Sequence, residues 1–188
     1  MKRYIFPAVR LTLVLIVVLA GLFPLFIAAV AKMAPGKGDG VTVMHKGKVV
    51  GYANIGQKFT DDKYCWSRPS AVDYNAAGSA GSNKGPSNPD YLKTVQERID
   101  TFLVHNPGVN KEDIPAELVT ASGSGLDPDL SPAAVEIQIP RIAKARGVAP
   151  ERIKALVKEY TKGPLLGLLG PSKVNVLQLN IALDDMQQ

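Results

Sequence analysis

Few side chains in this 188-residue chain combine into anything that could do chemistry. It has one cysteine, Cys65, beside Trp66, and two histidines, His45 and His105, far apart. A thiol nucleophile needs a base or a positive field to ionise it. Next to Trp66, Cys65 reads instead as a small buried hydrophobe. Neither histidine has Cys, Asp or Glu at ligand spacing, so no metal site of the usual kinds is expected. No H-E-x-x-H, G-x-S-x-G or G-x-x-x-x-G-K-[ST] occurs, and no catalytic residue is expected. The segment most suited to a ligand is the glycine-rich turn Ser122-Gly123-Ser124-Gly125, with Gln138 on the helix that follows. Such a turn can offer backbone N–H groups to a phosphate, which makes Ser122, Gly123, Ser124, Gly125 and Gln138 candidate nucleotide-binding residues. The turn lacks the lysine that follows a phosphate loop. A tight turn between strand and helix is the simpler reading of the same residues.

The dominant element is elsewhere. Residues 11–31, LTLVLIVVLAGLFPLFIAAVA, carry no charge and are bounded by Arg10 and Lys32. As a helix they would span roughly 32 Å, enough for a hydrocarbon core of about 30 Å. A cleaved signal peptide has an apolar core of only about 7 to 15 residues. This run is longer and ends in Lys32, although Ala28-Ala29-Val30-Ala31 is weakly site-like, so a retained anchor is expected. Gly21 and Pro24 lie mid-span. Pro removes a backbone donor and kinks a helix, so Gly21 and Pro24 read either as a tolerated kink or, as preferred here, as a packing face against other membrane helices.

The chain holds 22 basic and 17 acidic residues, a net charge of +5. Four of the basic residues and none of the acids lie in the first 32 positions, leaving the rest near neutral. The basicity is a topology signal and gives no case for nucleic acid. Lys2, Arg3 and Arg10 precede the span, which places a short N-terminus in the cytoplasm and the bulk of the chain outside. The expected organisation is a cytoplasmic N-terminus over 1–10, a transmembrane helix over 11–31, a linker over 32–40 and one extracytoplasmic α+β domain over 41–188. One cysteine permits no internal disulfide on that oxidising side, so packing must hold the domain.

Within the domain, apolar runs at 41–44 and 49–52 around Lys46-Gly47 predict a β-hairpin. Residues 63–67 and 115–120 lean towards strands. Residues 68–89 form a long polar segment, a candidate contact loop. Asn88-Pro89 starts a helix whose Leu92, Val95, Ile99, Phe102 and Leu103 share one face and which stops near Asn106-Pro107. Ser131-Pro132 caps a second helix running to Arg146, with Gly147 as its stop. Pro150 opens a third, carrying Ile153, Leu156, Val157 and Tyr160. Residues 174–183 alternate like a strand but favour a helix after Asn175. The fold class is α+β: a single N-terminal transmembrane helix plus one extracytoplasmic domain with a small antiparallel sheet and three to four helices.

Several segments are too specific for generic loops: GQKFT at 56–60, Tyr64 through RPSA at 68–71, ELVTASGSGLD at 117–127, PRIAKAR at 140–146 and VNVLQLNIALD at 174–184. Together with the Gly-x-x-Pro of the span, they closely resemble the C subunit of the Kdp potassium-transporting P-type ATPase, in order and over nearly the whole chain. The resemblance implies a non-catalytic accessory subunit of an ATP-driven potassium uptake complex in the cell (inner) membrane. It implies three partners: a potassium-channel-like subunit, a P-type ATP-hydrolysing subunit and a small accessory membrane helix. It also implies a catalytic chaperone that raises the ATP affinity of the hydrolysing subunit, with no tightly bound cofactor of its own.

Topology and that role pull apart, because ATP is cytoplasmic and the domain is expected outside. An effect on ATP affinity is then expected to travel through the membrane helices as coupling between conformational states. The alternative from another class is a membrane-tethered extracytoplasmic module that binds a soluble ligand or a cell-wall component. A kinked span bearing Gly21 and Pro24 favours the pump subunit, since a mere tether needs no partner face.

Overall fold

A computed structural model describes residues 2–186; Met1, Gln187 and Gln188 lie outside the described residues. The chain divides into two compact units, residues 1–42 and 43–188.

The first unit is one long helix. It begins as α1 (Lys2–Ile16), widens through a π-helical turn at Val17–Leu22 and continues as α2 (Phe23–Ala31). The cause is local. Pro24 has no N–H to give the carbonyl of Ala20, and its ring crowds that turn. The helix responds with an i→i−5 bond from Phe23 N–H to Val18 O. The predicted break at Gly21 and Pro24 is therefore a wide turn. The 29 residues Arg3–Ala31 are long and apolar enough to cross a membrane. The space a side chain would fill at Gly21 is open.

A hairpin follows, β1 (Thr42–His45) and β2 (Lys48–Tyr52). Lys46 and Gly47 both take positive φ, 49° and 77°, as a two-residue turn of the I′ kind requires. Helix α3 (Pro89–His105) starts where expected: the Asn88 side chain accepts from Tyr91 N–H at 3.0 Å and Pro89 takes the first helical position. Its Phe102 enters the core.

The expected second helix is two. Helix α4 (Pro132–Glu136), capped by Ser131, and α5 (Ile139–Arg146) are separated at Ile137 and Gln138. Pro140 cannot donate to Glu136 O, so no continuous ladder can pass. Gly147 ends α5 at φ +66°. Helix α6 (Pro150–Tyr160) follows, and α7 (Val176–Asp185) closes the domain. With α3 these make five helices in the second unit among the described residues.

The sheet is three-stranded and antiparallel. Strand β5 (Lys173–Asn175) lies between β3 (Asp129–Leu130) and β4 (Thr161–Lys162), with Leu130 opposite Val174 and Lys162 opposite Lys173. The ambiguous run at 174–183 thus resolves as two strand residues, then helix. Ile139, Ile142, Ile153, Val174, Leu179 and Leu183 are fully buried around this sheet.

Two expected strands do not form. Residues 116–118 wind into a 3₁₀ turn, with Leu118 N–H on Pro115 O at 2.9 Å. Residues 63–67 are extended but lie in no sheet. Helix side chains take the place of a neighbouring strand there.

Candidate functional site

Segment 61–70 runs through the domain with its backbone held by side chains from α5 and α7. Arg146, in the last turn of α5, donates from Nε to Lys63 O at 2.6 Å, from Nη1 to Leu183 O at 2.7 Å and from Nη2 to Asp184 Oδ1 at 2.8 Å. The other Asp184 oxygen accepts from Tyr64 OH at 2.9 Å. Asn180 on α7 accepts from Cys65 N–H at 2.8 Å and donates to Cys65 O at 3.0 Å. Gln138 does the same for Trp66, accepting its N–H at 2.9 Å and donating to its carbonyl at 3.4 Å. Two amide side chains therefore supply the donor–acceptor pairs of a missing β-neighbour.

Arg141 completes the clamp. Its guanidinium donates to Asn106 Oδ1 at 3.1 Å, Asp62 O at 2.9 Å and Gln138 Oε1 at 2.7 Å, and lies 4.4 Å from the Trp66 ring centroid. Burial lowers its pKa, against the opposing pull of Cys65, Asp62 and Asp61. Among the described residues no buried side-chain nitrogen or oxygen lacks a partner. Farther along, Arg68 donates to Thr120 O at 3.3 Å and pairs with Asp127 at 3.2 Å.

This placement accounts for the motifs. PRIAKAR supplies both clamping arginines, VNVLQLNIALD supplies Asn180 and Asp184, and the aspartate of SGSGLD holds Arg68. Spacing gave no hint of these roles, because each clamp joins residues far apart in sequence.

The sequence-selected ligand residues occupy two places. Gln138 is fully buried, and its remaining N–H goes to Ala134 O at 3.0 Å. With two bonds at Oε1 and two at Nε2, its hydrogen-bonding capacity is filled. The 122–125 turn meets the hub at Pro69, whose carbonyl accepts from Ser122 N–H at 3.3 Å. Ser122 Oγ takes the N–H of Gly125 at 2.8 Å and Ser124 Oγ takes that of Leu126 at 3.1 Å. Three of this loop's N–H groups therefore point to partners within the protein. Gly125 needs to be glycine: φ is +68°, and a Cβ would lie 2.6 Å from Val72 Cγ2. Gly123 faces open space. The polar loop after residue 68 is fastened to the same turn, with Ser79 Oγ donating to Ser124 O at 2.9 Å.

Cys65 is fully buried, and desolvation pushes its thiol up to about 12 despite nearby Arg141. A thiol so raised is inert as a nucleophile at neutral pH. Among the described residues no group of three or more His, Cys, Asp or Glu could hold a metal. An open hollow of about 630 Å³ does lie beside the clamp, lined by Asp62, His105, Ile137, Arg141 and Lys144 among others. His105 Nδ1 stands 2.7 Å from Asp62 Oδ1 at its wall.

A further surface lies outside the residues that the sequence singles out. Between β4 and β5, Leu165, Leu166, Leu168 and Leu169 are 61–87% exposed. The signal was present in the run GPLLGLLGP at 163–171, whose apolar residues have neither helical nor strand punctuation.

Comparison with known proteins gives matches over nearly the whole length of the chain. The family model described as "K+-transporting ATPase, c chain" matches residues 5–185. A potassium-transporting ATPase KdpC subunit of Flavobacterium psychrophilum is 54% identical over 185 residues, covering 98% of this chain and all of that one. The subunit of the same name from Bacteroides fragilis is 47% identical over 188 residues, 98% of each chain. That of Dechloromonas aromatica is 45% identical over 192 residues, covering both chains in full. With one apolar N-terminal helix, an α+β domain and a match over nearly every residue, this chain belongs to the family of the c chain of the K+-transporting ATPase.

Proposed function

We propose that the chain is a non-catalytic accessory subunit that helps assemble a potassium pump and tunes its ATP affinity from the far side of the membrane. The observation that carries this is the bare helix. Within Arg3–Ala31 the most apolar stretch is wholly unburied by the rest of the chain. Side chains of that kind need lipid or other helices around them. The partners in this reading are a potassium-channel-like subunit, a P-type ATP-hydrolysing subunit and a small accessory membrane helix. The basic residues ahead of the span support an outside location for the domain. Any effect on ATP then passes through the membrane helices, as a bias between conformational states of the hydrolysing subunit.

The decisive experiment removes the chain and restores it. Complex purified in mild detergent should contain this chain with large polytopic partners. Without it, potassium-stimulated hydrolysis should fall and the apparent KM for ATP should rise; adding the full chain back should reverse both. Purification of a lone monomer would sink the assembly reading. Orientation is read separately from Asp39→Cys, which should react with a membrane-impermeant thiol reagent in intact cells.

Direct nucleotide binding on the outer domain is tested with Gly123→Val, because Gly123 has open space around it. Gly125 is unsuitable, since any side chain there strains the turn. Saturable ATP binding to the full chain that Gly123→Val abolishes would favour a shared nucleotide site over coupling through the membrane. The hollow beside Arg141 favours a second reading, a tethered module for an outside ligand; a chain that purifies alone and fully active in ligand capture would support it.

A further inference from the structure

The loop between β4 and β5 is built to present leucine to its surroundings. At its base, Lys162 of β4 pairs across the sheet with Lys173 of β5. Beyond that pair, residues 163–172 leave the sheet and close on themselves. Leu165 N–H donates to Leu169 O at 2.8 Å and Leu169 N–H to Leu165 O at 2.9 Å, while Gly167 N–H bonds Pro164 O at 3.0 Å. The tip is thus held by its own backbone, with prolines at 164 and 171 limiting its freedom.

The side chains face away from the core. Leu165 is 68% exposed, Leu166 84%, Leu168 87% and Leu169 61%. Leu166 also sits at φ +55°, a left-handed conformation that a bulky residue seldom adopts. Backbone strain at an exposed apolar tip contributes nothing to the core, and such strain concentrates where a surface has work to do. Clustered exposed apolar side chains mark a site that is covered in the working molecule.

We infer that the Leu165–Leu169 tip dips into a lipid leaflet, with Lys162 and Lys173 as a collar at the headgroups. Lipid is selected over a protein surface on four grounds. From Pro164 to Gly170 no side chain carries a hydrogen-bonding group, so nothing in the tip specifies a directional partner. Protein interfaces draw their energy from Trp, Tyr and Arg, with Leu under-represented, whereas hydrocarbon asks only for apolar surface. Two lysines face each other at the base of the tip, where anionic headgroups would lie. Lys173 is shared with Asp129, 2.6 Å away, which fixes its position. Finally, the linker over 32–40 is short: nine residues extend at most about 30 Å, so the domain is tethered within reach of the bilayer. Insertion of about 5–10 Å is the depth such interfacial elements reach, and a five-residue tip suffices for it.

The proposal rests on the anchoring helix of the preceding reading but not on its orientation, since either leaflet would receive the tip. The full chain is reconstituted into phosphatidylcholine–phosphatidylglycerol vesicles after Leu166→Cys is labelled with a polarity-sensitive fluorophore. Glu151→Cys, at an exposed position in the first turn of α6, is the reference, and buried Cys65 gives the background in the unsubstituted chain. The expected result is blue-shifted emission at position 166, quenching by nitroxide on the acyl chains, and iodide quenching about threefold weaker than at 151. A chain that floats with the vesicles while position 166 stays as iodide-accessible as 151 overturns the proposal and leaves the anchor intact. A chain that does not float overturns both. Protection that arises only once the other pump subunits are added also overturns it, in favour of a protein-docking tip.

Discussion

Asn180 holds both backbone groups of Cys65, accepting its N–H at 2.8 Å and donating to its carbonyl at 3.0 Å, across 115 residues of sequence. One amide thus replaces one rung of a β-ladder. Asn180→Ala leaves a buried N–H and a buried carbonyl unpaired, each worth about 1–3 kcal/mol. The domain should lose about 2–4 kcal/mol, read as a lowered midpoint in denaturant titration of the full chain in detergent. The half-exposed neighbour Gln178, changed to Ala, should cost well under that. Equal effects at the two positions would contradict the clamp.

Gln138 supports a sharper test because its amide is filled on both sides. Gln138→Glu retains an acceptor for Trp66 N–H and Arg141, but it turns the donors facing Ala134 O and Trp66 O into an acceptor. It also buries a charge with Arg141 as its nearest cation. About 2 kcal/mol or more of stability should go, and thermal unfolding monitored by Trp66, the chain's one tryptophan, reports it directly. Were Gln138 kept for a ligand, this near-isosteric change would leave the melting curve in place and alter only binding.

The parts of this fold visible in the sequence are those with local causes. Asn88-Pro89, Ser131-Pro132 and Asn175 each cap a helix through a side chain that reaches three residues ahead, and Lys46-Gly47 turns the hairpin within two residues. Residues 63–67 were misleading because extended apolar sequence implies a neighbouring strand, while the partners here are Gln138, Arg146 and Asn180, over 70 residues away. Pro140 marks the helix break in the sequence itself, and a helix expected through it joins α4 to α5. The glycine-rich turn drew attention for its amides, but its hydroxyls and the Pro69 carbonyl take up three of them.

In the membrane helix, Gly21 has nothing within 4 Å of where a Cβ would stand. The isolated chain therefore has room for leucine there, and Gly21→Leu should insert into membranes and unfold like the parent. If the π-helical turn meets a partner helix closely, the added bulk should lower recovery of the assembled complex about tenfold or more. Recovery is measured as the ratio of co-purified partners to this chain. An unchanged ratio would make the span a tether alone.

Alkaline pH probes the hub through Cys65. Burial raises its thiol from 9.0 to about 12, and burial likewise raises the Tyr74 hydroxyl to about 12, with Arg98 opposing. Both groups keep their proton in the folded domain after the unfolded chain has lost its own. Above the unfolded values the unfolded state binds fewer protons, so stability falls as pH rises. The contribution is fully present below pH 9.0 and is lost progressively towards about 12. Each unit of the thiol's shift corresponds to about 1.4 kcal/mol. Cys65→Ala removes this share and substitutes a small cavity cost that does not depend on pH. Between about pH 8 and about pH 10.5 the stability gap between parent and variant should therefore narrow by about 2 kcal/mol, measured by denaturant titration at each pH. A gap constant across that range would mean that Cys65 titrates as it does in the unfolded chain, and that the segment it anchors is open to water.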